Sequence, residues 1–152
     1  MKKMEKYRNP AATADIIVPK AIGSDLGESC EILLIKRKNG PYKDMWAIPG
    51  GYLEYGKETL EETAARELKE ETSLIVKIDD LALLGVYSNP QRDPRGHVIS
   101  HVYVAKRYEG EPRANDDALE YAWFPVSNLP KLAFDHEKII NDYIRKYLCE
   151  KR

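Results

Sequence analysis

Glu67, Glu70 and Glu71 stand at i, i+3 and i+4 in a stretch of good helix formers, Thr59 to Thr72. Those intervals bring side chains to one side of an α-helix, so the segment presents three carboxylates together. At about 100° per residue, Glu67 and Glu71 border the apolar stripe Leu60–Ala64–Leu68 instead of opposing it. Carboxylates beside a buried face are crowded and partly desolvated, and they repel one another unless a cation sits among them. Oxygen-only ligands select a hard ion, Mg²⁺ or Mn²⁺. The bland alternative is a solvated acidic face balanced by Arg66 and Lys69.

The wider pattern weighs against that alternative. The run GGYLEYGKETLEETAARELKEETSL, from Gly50 to Leu74, resembles the Nudix box. That pattern reads Gly, five residues, Glu, seven residues, then Arg-Glu-apolar-any-Glu-Glu-any-Gly-apolar. Glu58, Arg66, Glu67, Leu68, Lys69, Glu70, Glu71, Thr72 and Leu74 fit it. Two positions depart: six residues separate Gly51 from Glu58, an insertion near Lys57, and Ser73 stands in place of the glycine after the helix. A glycine there serves a left-handed exit from the helix, at a modest backbone cost for serine.

The resemblance implies roles for these positions. Glu67, Glu70 and Glu71 would be catalytic metal ligands, the carbonyl near Gly51 would complete the metal shell, and Glu58 with Arg66 would form an ion pair tying loop to helix. The implied cofactor is Mg²⁺, for which Mn²⁺ can substitute. The implied chemistry is metal-assisted attack of water on a diphosphate.

Elements must hold these groups in place. Thr13–Val18 and Glu31–Lys38 read as strands joined through the connector Gly23–Ser29. Trp46–Ile48 is a short apolar piece stopped by Pro49-Gly50-Gly51. Leu74–Val86 predicts two strands about an Asp79-Asp80 turn, Ser88–Gly96 a loop, Val98–Lys106 a strand, Glu109–Asp117 a polar loop and Leu119–Phe124 another strand. Asp135 is placed to N-cap a final helix, Glu137–Leu148. The fold class is α/β (α+β): one domain over 1–152, a mixed β-sheet flanked by a helix on each face, the Nudix-type α/β/α sandwich that the resemblance also implies.

Beyond the box, Tyr7-Arg8-Asn9-Pro10 with TADIIV, GVYSNPQRDPRGH and LEYAWFPVSNLPKLAFDH look like the ADP-ribose pyrophosphatase-like branch of that family. Arg92 and Arg95 are candidates for bidentate phosphate contacts, against a plain exposed loop; Arg37 is weighed the same way. Trp46, Tyr42, Tyr87 and Phe134 could stack on a base or fill the core. Glu120 could be a further ligand, a general base or a strand-surface glutamate. His97, His101 and His136 are too scattered to mark a metal site.

Composition bounds the class. Hydrophobic residues at 43% and charged residues at 32%, with a net charge of −1, fit a soluble globular chain and give no sign of a nucleic-acid or membrane surface. Cys30 and Cys149 lack metal spacing and imply a reducing compartment, so a cytoplasmic protein. No apolar run is long enough to span a bilayer. The expected partner is a small nucleotide, with ADP-ribose split to AMP and ribose 5-phosphate as the leading activity. An oxidised-purine triphosphatase is the enzymatic alternative, and an ADP-ribose sensor the non-catalytic one. The last helix ends near Arg152, leaving no room for a winged helix, and relatives imply a possible homodimer.

Overall fold

The computed structural model describes residues 7–21, 30–115 and 118–149. Its strands are β1 (Ala11–Ile17), β2 (Pro19–Ala21), β3 (Cys30–Arg37), β4 (Trp46–Ala47), β5 (Gly50–Tyr52), β6 (Leu81–Tyr87), β7 (Val98–Ala105) and β8 (Ala118–Pro125). Helix α1 (Leu60–Thr72) follows β5, and α2 (His136–Tyr143) follows β8 and runs on into a π-helical turn, Ile144–Cys149. The expected connector Gly23–Ser29, the end of the polar loop at Asp117 and the side chain of Cys149 lie outside the described residues.

The strands form two sheets. One is mixed, ordered β5-β1-β7-β6, with β1 parallel to β7 and antiparallel to β5. In the other, β3 pairs antiparallel with β8 and also with β2 and β4. Successive strand side chains point to opposite faces, and the apolar alternation uses both. Ile17, Ile32, Leu34, Val102 and Val104 join one core with Ile139, Ile140 and Tyr143 of α2. Ile16, Val18, Leu33 and Ala105 join the other with Leu68, Leu74 and Val76 on and after α1. Each such fully buried aliphatic side chain contributes about 1.5–3 kcal/mol. The expected α/β/α layering is present, with its strands shared between two sheets.

Helix α1 starts at a capping box: the Glu62 amide donates to Thr59 Oγ1 (3.1 Å) and the Thr59 amide to Glu62 Oε1 (2.8 Å). It stops at Ser73, whose φ of 69° is left-handed. Asn115 Nδ2 donates to Ser73 Oγ at 2.7 Å, and the Arg113 and Asn115 amides donate to the carbonyls of Thr72 and Glu71. The loop after β7 thus caps this helix from outside.

Three expected elements differ. Before β6 there is no full strand: Ile75 makes an isolated bridge to Glu109, and Ile78–Asp80 is a 3₁₀ turn. Leu74 and Val76 are buried while Ile75 and Lys77 are exposed, so the alternation is real but its partner segment is too short to extend the ladder. The final α-helix is shorter than expected, passing into the π turn at Ile144. Asp135 stands at the N-cap of α2, yet its side chain makes no cap hydrogen bond because Arg92 takes both its oxygens.

Candidate active site

Two glycines bring α1 against the sheet. The Gly50 amide donates to Glu71 Oε1 at 3.0 Å. A Cβ added at Gly51 would lie 2.2 Å from Glu67 Oε2, so any side chain there would displace that carboxylate. The inserted loop residue is absorbed in an exposed turn: the Lys57 amide donates to the Glu54 carbonyl at 3.0 Å, and Gly56 takes φ 75°. A glycine in the third position of such a turn supplies positive φ without strain.

Arg66 is the hub of the acidic group. Its Nη2 and Nε donate to the two oxygens of Glu58 (2.7 and 2.9 Å), its Nη1 to Glu67 and Glu70 (3.1 Å each), and its Nη2 also to the Tyr52 carbonyl (3.0 Å). It joins loop to helix through the Glu58–Arg66 ion pair that the resemblance implies. The guanidinium, then the Thr63 hydroxyl and the Glu54 amide, hold the Glu58 carboxyl down at about 2, against the desolvation that opposes them. Hydrogen bonding to Glu58 in turn raises Arg66 above its ordinary value.

A cavity of about 290 Å³ adjoins the helix. Glu67, Glu71 and Gly51 line it together with Arg37, Arg95 and Phe134. Two guanidiniums approach the Phe134 ring, Arg37 at 5.0 Å and Arg95 at 5.4 Å from its centroid, and Tyr42 packs edge-on against it at 4.8 Å. Phe134 holds φ 53°, a left-handed conformation costing of order 1–3 kcal/mol for a bulky residue, a kind of strain that clusters at functional sites. Arg95 also donates to both oxygens of Asp93, while Arg37 Nε donates to the Pro41 carbonyl.

Other expected residues are elsewhere. Arg92 borders the cavity, but its side chain is only 4% exposed and its fork is bonded to Asp135, a structural tie instead of a free phosphate contact. Trp46 packs edge-on to Phe124 and against the α2-side core, so it is not a stacking platform in the cavity. The Tyr87 hydroxyl donates to Asp142 at 2.8 Å, and its ring lines a separate cavity beside α2. Glu120, weighed as a ligand, a general base or a strand-surface glutamate, is 56% exposed on β8 and paired at 3.5 Å with Lys36 of the neighbouring strand, outside the cavity lining. Glu70 is on the outer side of the acidic group, bonded to Arg66 and absent from the lining. His97 and His101 each bond a backbone carbonyl.

Asp15, Asp93 and His136 also line the cavity, and sequence reasoning passed over them as site residues. Burial pushes the Asp15 carboxyl up to about 6, against hydrogen bonds from Ser100 and Thr13 and the nearby Arg92 charge. Its position within the apolar run TADIIV was a signal, since an acid in a buried strand needs a reason. His136 Nδ1 accepts from the Ile48 amide at 3.0 Å, and burial pushes its pKa down to about 3, so the ring is neutral.

Among the described residues, no three His, Cys, Asp or Glu side chains are gathered closely enough to enclose a metal. The donor chemistry nevertheless fits a hard divalent ion: two carboxylates, Glu67 and Glu71, share the lining with the bare glycine cradle at Gly51.

Fold and cavity together define a small α/β/α domain with one acidic helix at the cavity edge. Residues 20–143 match the family model described as NUDIX domain, and the chain belongs to that family. It is 54% identical over 145 residues to a Methanocaldococcus jannaschii protein named "ADP-ribose pyrophosphatase", covering 95% of this chain and 79% of that one. The crystal structure of a MutT/nudix family protein from Enterococcus faecalis superposes with a TM-score of 0.78 at 31% identity, over 91% of this chain and 62% of that one. The NUDIX domain of Shewanella oneidensis NrtR, solved with ADP ribose, superposes with a TM-score of 0.81 over 93% of this chain and 91% of that one. At 24% identity, that last likeness bears on the fold alone.

Proposed function

We propose that the protein hydrolyses ADP-ribose to AMP and ribose 5-phosphate with Mg²⁺, which Mn²⁺ can replace. The observation that carries this reading is the cavity itself, where Glu67 and Glu71 face the same space as the Arg37–Phe134–Arg95 cluster. The similarity to the Methanocaldococcus jannaschii protein points to the substrate.

In this reading Glu67, Glu70 and Glu71, with the Gly51 carbonyl, would hold the ion, which would supply charge neutralisation at the diphosphate and a more acidic water. Arg66 keeps the acidic group together through its bonds to Glu58, Glu67 and Glu70. Arg37 and Arg95 stabilise negative charge on the phosphate oxygens, and Phe134 takes the adenine on its ring only where a guanidinium moves off it to the phosphate. Water adds its oxygen to one phosphorus, the bridging P–O bond breaks, and a carboxylate takes the water's proton. Glu120 is the candidate for that proton only if it leaves Lys36, and Glu120→Gln tests it: an unchanged rate removes it.

The protein is read as cytoplasmic, in keeping with its two separated cysteines, with a homodimer expected from relatives and checked by sedimentation. Among the described residues no helix is long and apolar enough to cross a membrane. A panel of ADP-ribose, oxidised purine triphosphates and other nucleotides, with products identified by mass spectrometry, tests the substrate. Preference for a triphosphate with release of pyrophosphate would replace the ADP-ribose reading, and binding of ADP-ribose without turnover would favour a sensor.

A further inference from the structure

The cavity holds a buried carboxylate that the diphosphate chemistry leaves unused. Asp15 is 8% exposed, and its neighbours Ala14 and Ile16 pack toward α1, so it projects from the opposite face of the sheet to Glu67. Oδ2 accepts from the Ser100 hydroxyl and from Thr13 Oγ1. Oδ1 receives neither hydroxyl and lies beside Gly50, where an added Cβ would come within 2.0 Å of it. Glycine at 50 admits both this carboxylate and the close approach of β1, whose Ala14 carbonyl and Asp15 Cα would lie 2.6 and 2.7 Å from an added Cβ, whereas at Gly51 the nearest atoms all belong to the Glu67 carboxylate. Among the described residues no fully buried side-chain oxygen lacks a partner, which leaves Oδ1 open to the cavity that Asp15 lines.

An acceptor held in so buried a place is unfavourable unless a donor reaches it. The cavity carries Glu67, Glu71 and Asp93 alongside Arg37, Arg92 and Arg95, but the forks of Arg92 and Arg95 are bonded to Asp135 and Asp93. A further phosphate placed against Oδ1 itself would therefore meet a carboxylate at hydrogen-bond range, whereas a neutral hydroxyl would donate to it. Carboxylates serve elsewhere as acceptors for ribose hydroxyls. We propose that Asp15 is a specificity-determining residue whose Oδ1 accepts a hydrogen bond from the sugar beyond the diphosphate, selecting a sugar-capped diphosphate over a longer phosphate chain. This rests on the functional reading above.

The test compares binding of ADP-ribose and ADP by calorimetry in EDTA, where no turnover occurs, for the wild type, Asp15→Ala and Asp15→Asn. A site built to bond a hydroxyl discriminates strongly against ligands lacking it, so Asp15→Ala should weaken ADP-ribose by about tenfold or more and leave ADP within about twofold. A purely structural carboxylate would not separate the two ligands. Asp15→Asn retains partners for Thr13 and Ser100, so it should show the same change in smaller measure, and it carries the test if the alanine variant does not fold. The inference is overturned if ADP-ribose affinity is unchanged in a folded variant, or if both ligands weaken equally. A wild type that does not prefer ADP-ribose to ADP overturns the functional reading instead, whatever the variants do.

Discussion

Arg92 reaches 43 residues along the chain to clasp Asp135, its Nη2 donating to Oδ1 at 2.7 Å and its Nε to Oδ2 at 2.9 Å. A third hydrogen bond runs from Nη1 to the Val98 carbonyl at 3.4 Å. The loop after β6 is thereby fastened to the start of α2, at the rim of the cavity.

Arg92→Ala should accordingly act on stability first. Removing the buried Arg92 leaves the half-buried Asp135 charge uncompensated, at a cost of roughly 2–3 kcal/mol, below that of a fully buried pair. Lysine should recover little, since it lacks the planar fork. Urea denaturation measures this; full stability together with weakened ADP-ribose binding would return Arg92 to the role of a ligand contact.

Arg66→Ala should lower both stability and rate, because Glu58 loses two donors and Glu67, Glu70 and the Tyr52 carbonyl lose one each. The group is partly exposed, so a loss of roughly 2–3 kcal/mol is expected, below that of a fully buried pair. An unchanged melting temperature would count against the hub.

How much of this was legible follows from where each partner sits in the chain. The acidic helix and its stripe are local, so spacing alone exposes them, whereas the Glu58–Arg66 pair came from the resemblance to the Nudix box. Apolar alternation gave most strands but not their division between two sheets, which depends on pairing between distant segments such as β3 with β8. The same distance hid the role of Arg92, whose partner is on another element. Trp46 was ambiguous because an aromatic beside apolar residues suits a core and a stacking site equally. Asp15 was visible as an acid within an apolar strand, yet its meaning depended on Gly50 lying beside it in β5.

Ser73 offers a balance of two effects. Glycine should relieve the left-handed backbone by about 0.5–1 kcal/mol. It also loses the hydroxyl bonded to Asn115, worth roughly 0.5–1.5 kcal/mol. Ser73→Gly should thus be near neutral and Ser73→Ala destabilising by about 1 kcal/mol, as read by urea midpoints. A large gain from glycine would mean the Asn115 contact contributes nothing.

Acid should weaken the fold through His136. Its folded pKa, about 3, is below the ordinary value of 6.5, so its contribution is whole above pH 6.5 and is lost as pH falls toward 3. Asp15 works the other way: with a folded value near 6, its cost is full above that pH and is relieved as pH falls toward 3.8. The contrast with His136→Gln isolates the histidine. The stability advantage of wild type over that variant should shrink by about 2–3 kcal/mol between pH 7 and 4.5. A constant difference across that range would show that the ring does not stay neutral in the fold.

The central claim is that the carboxylates of α1 carry a metal-dependent cleavage of ADP-ribose, and product analysis of ADP-ribose with Mg²⁺ or with EDTA tests it most directly. Wild type with Mg²⁺ should give AMP and ribose 5-phosphate in equal amounts, and EDTA should abolish both. Glu71→Gln keeps an acceptor for the Gly50 amide and should stay folded, yet turn over slower by about two orders of magnitude or more. Normal turnover by folded Glu71→Gln, or a wild type inert toward ADP-ribose in the presence of Mg²⁺, would contradict the account.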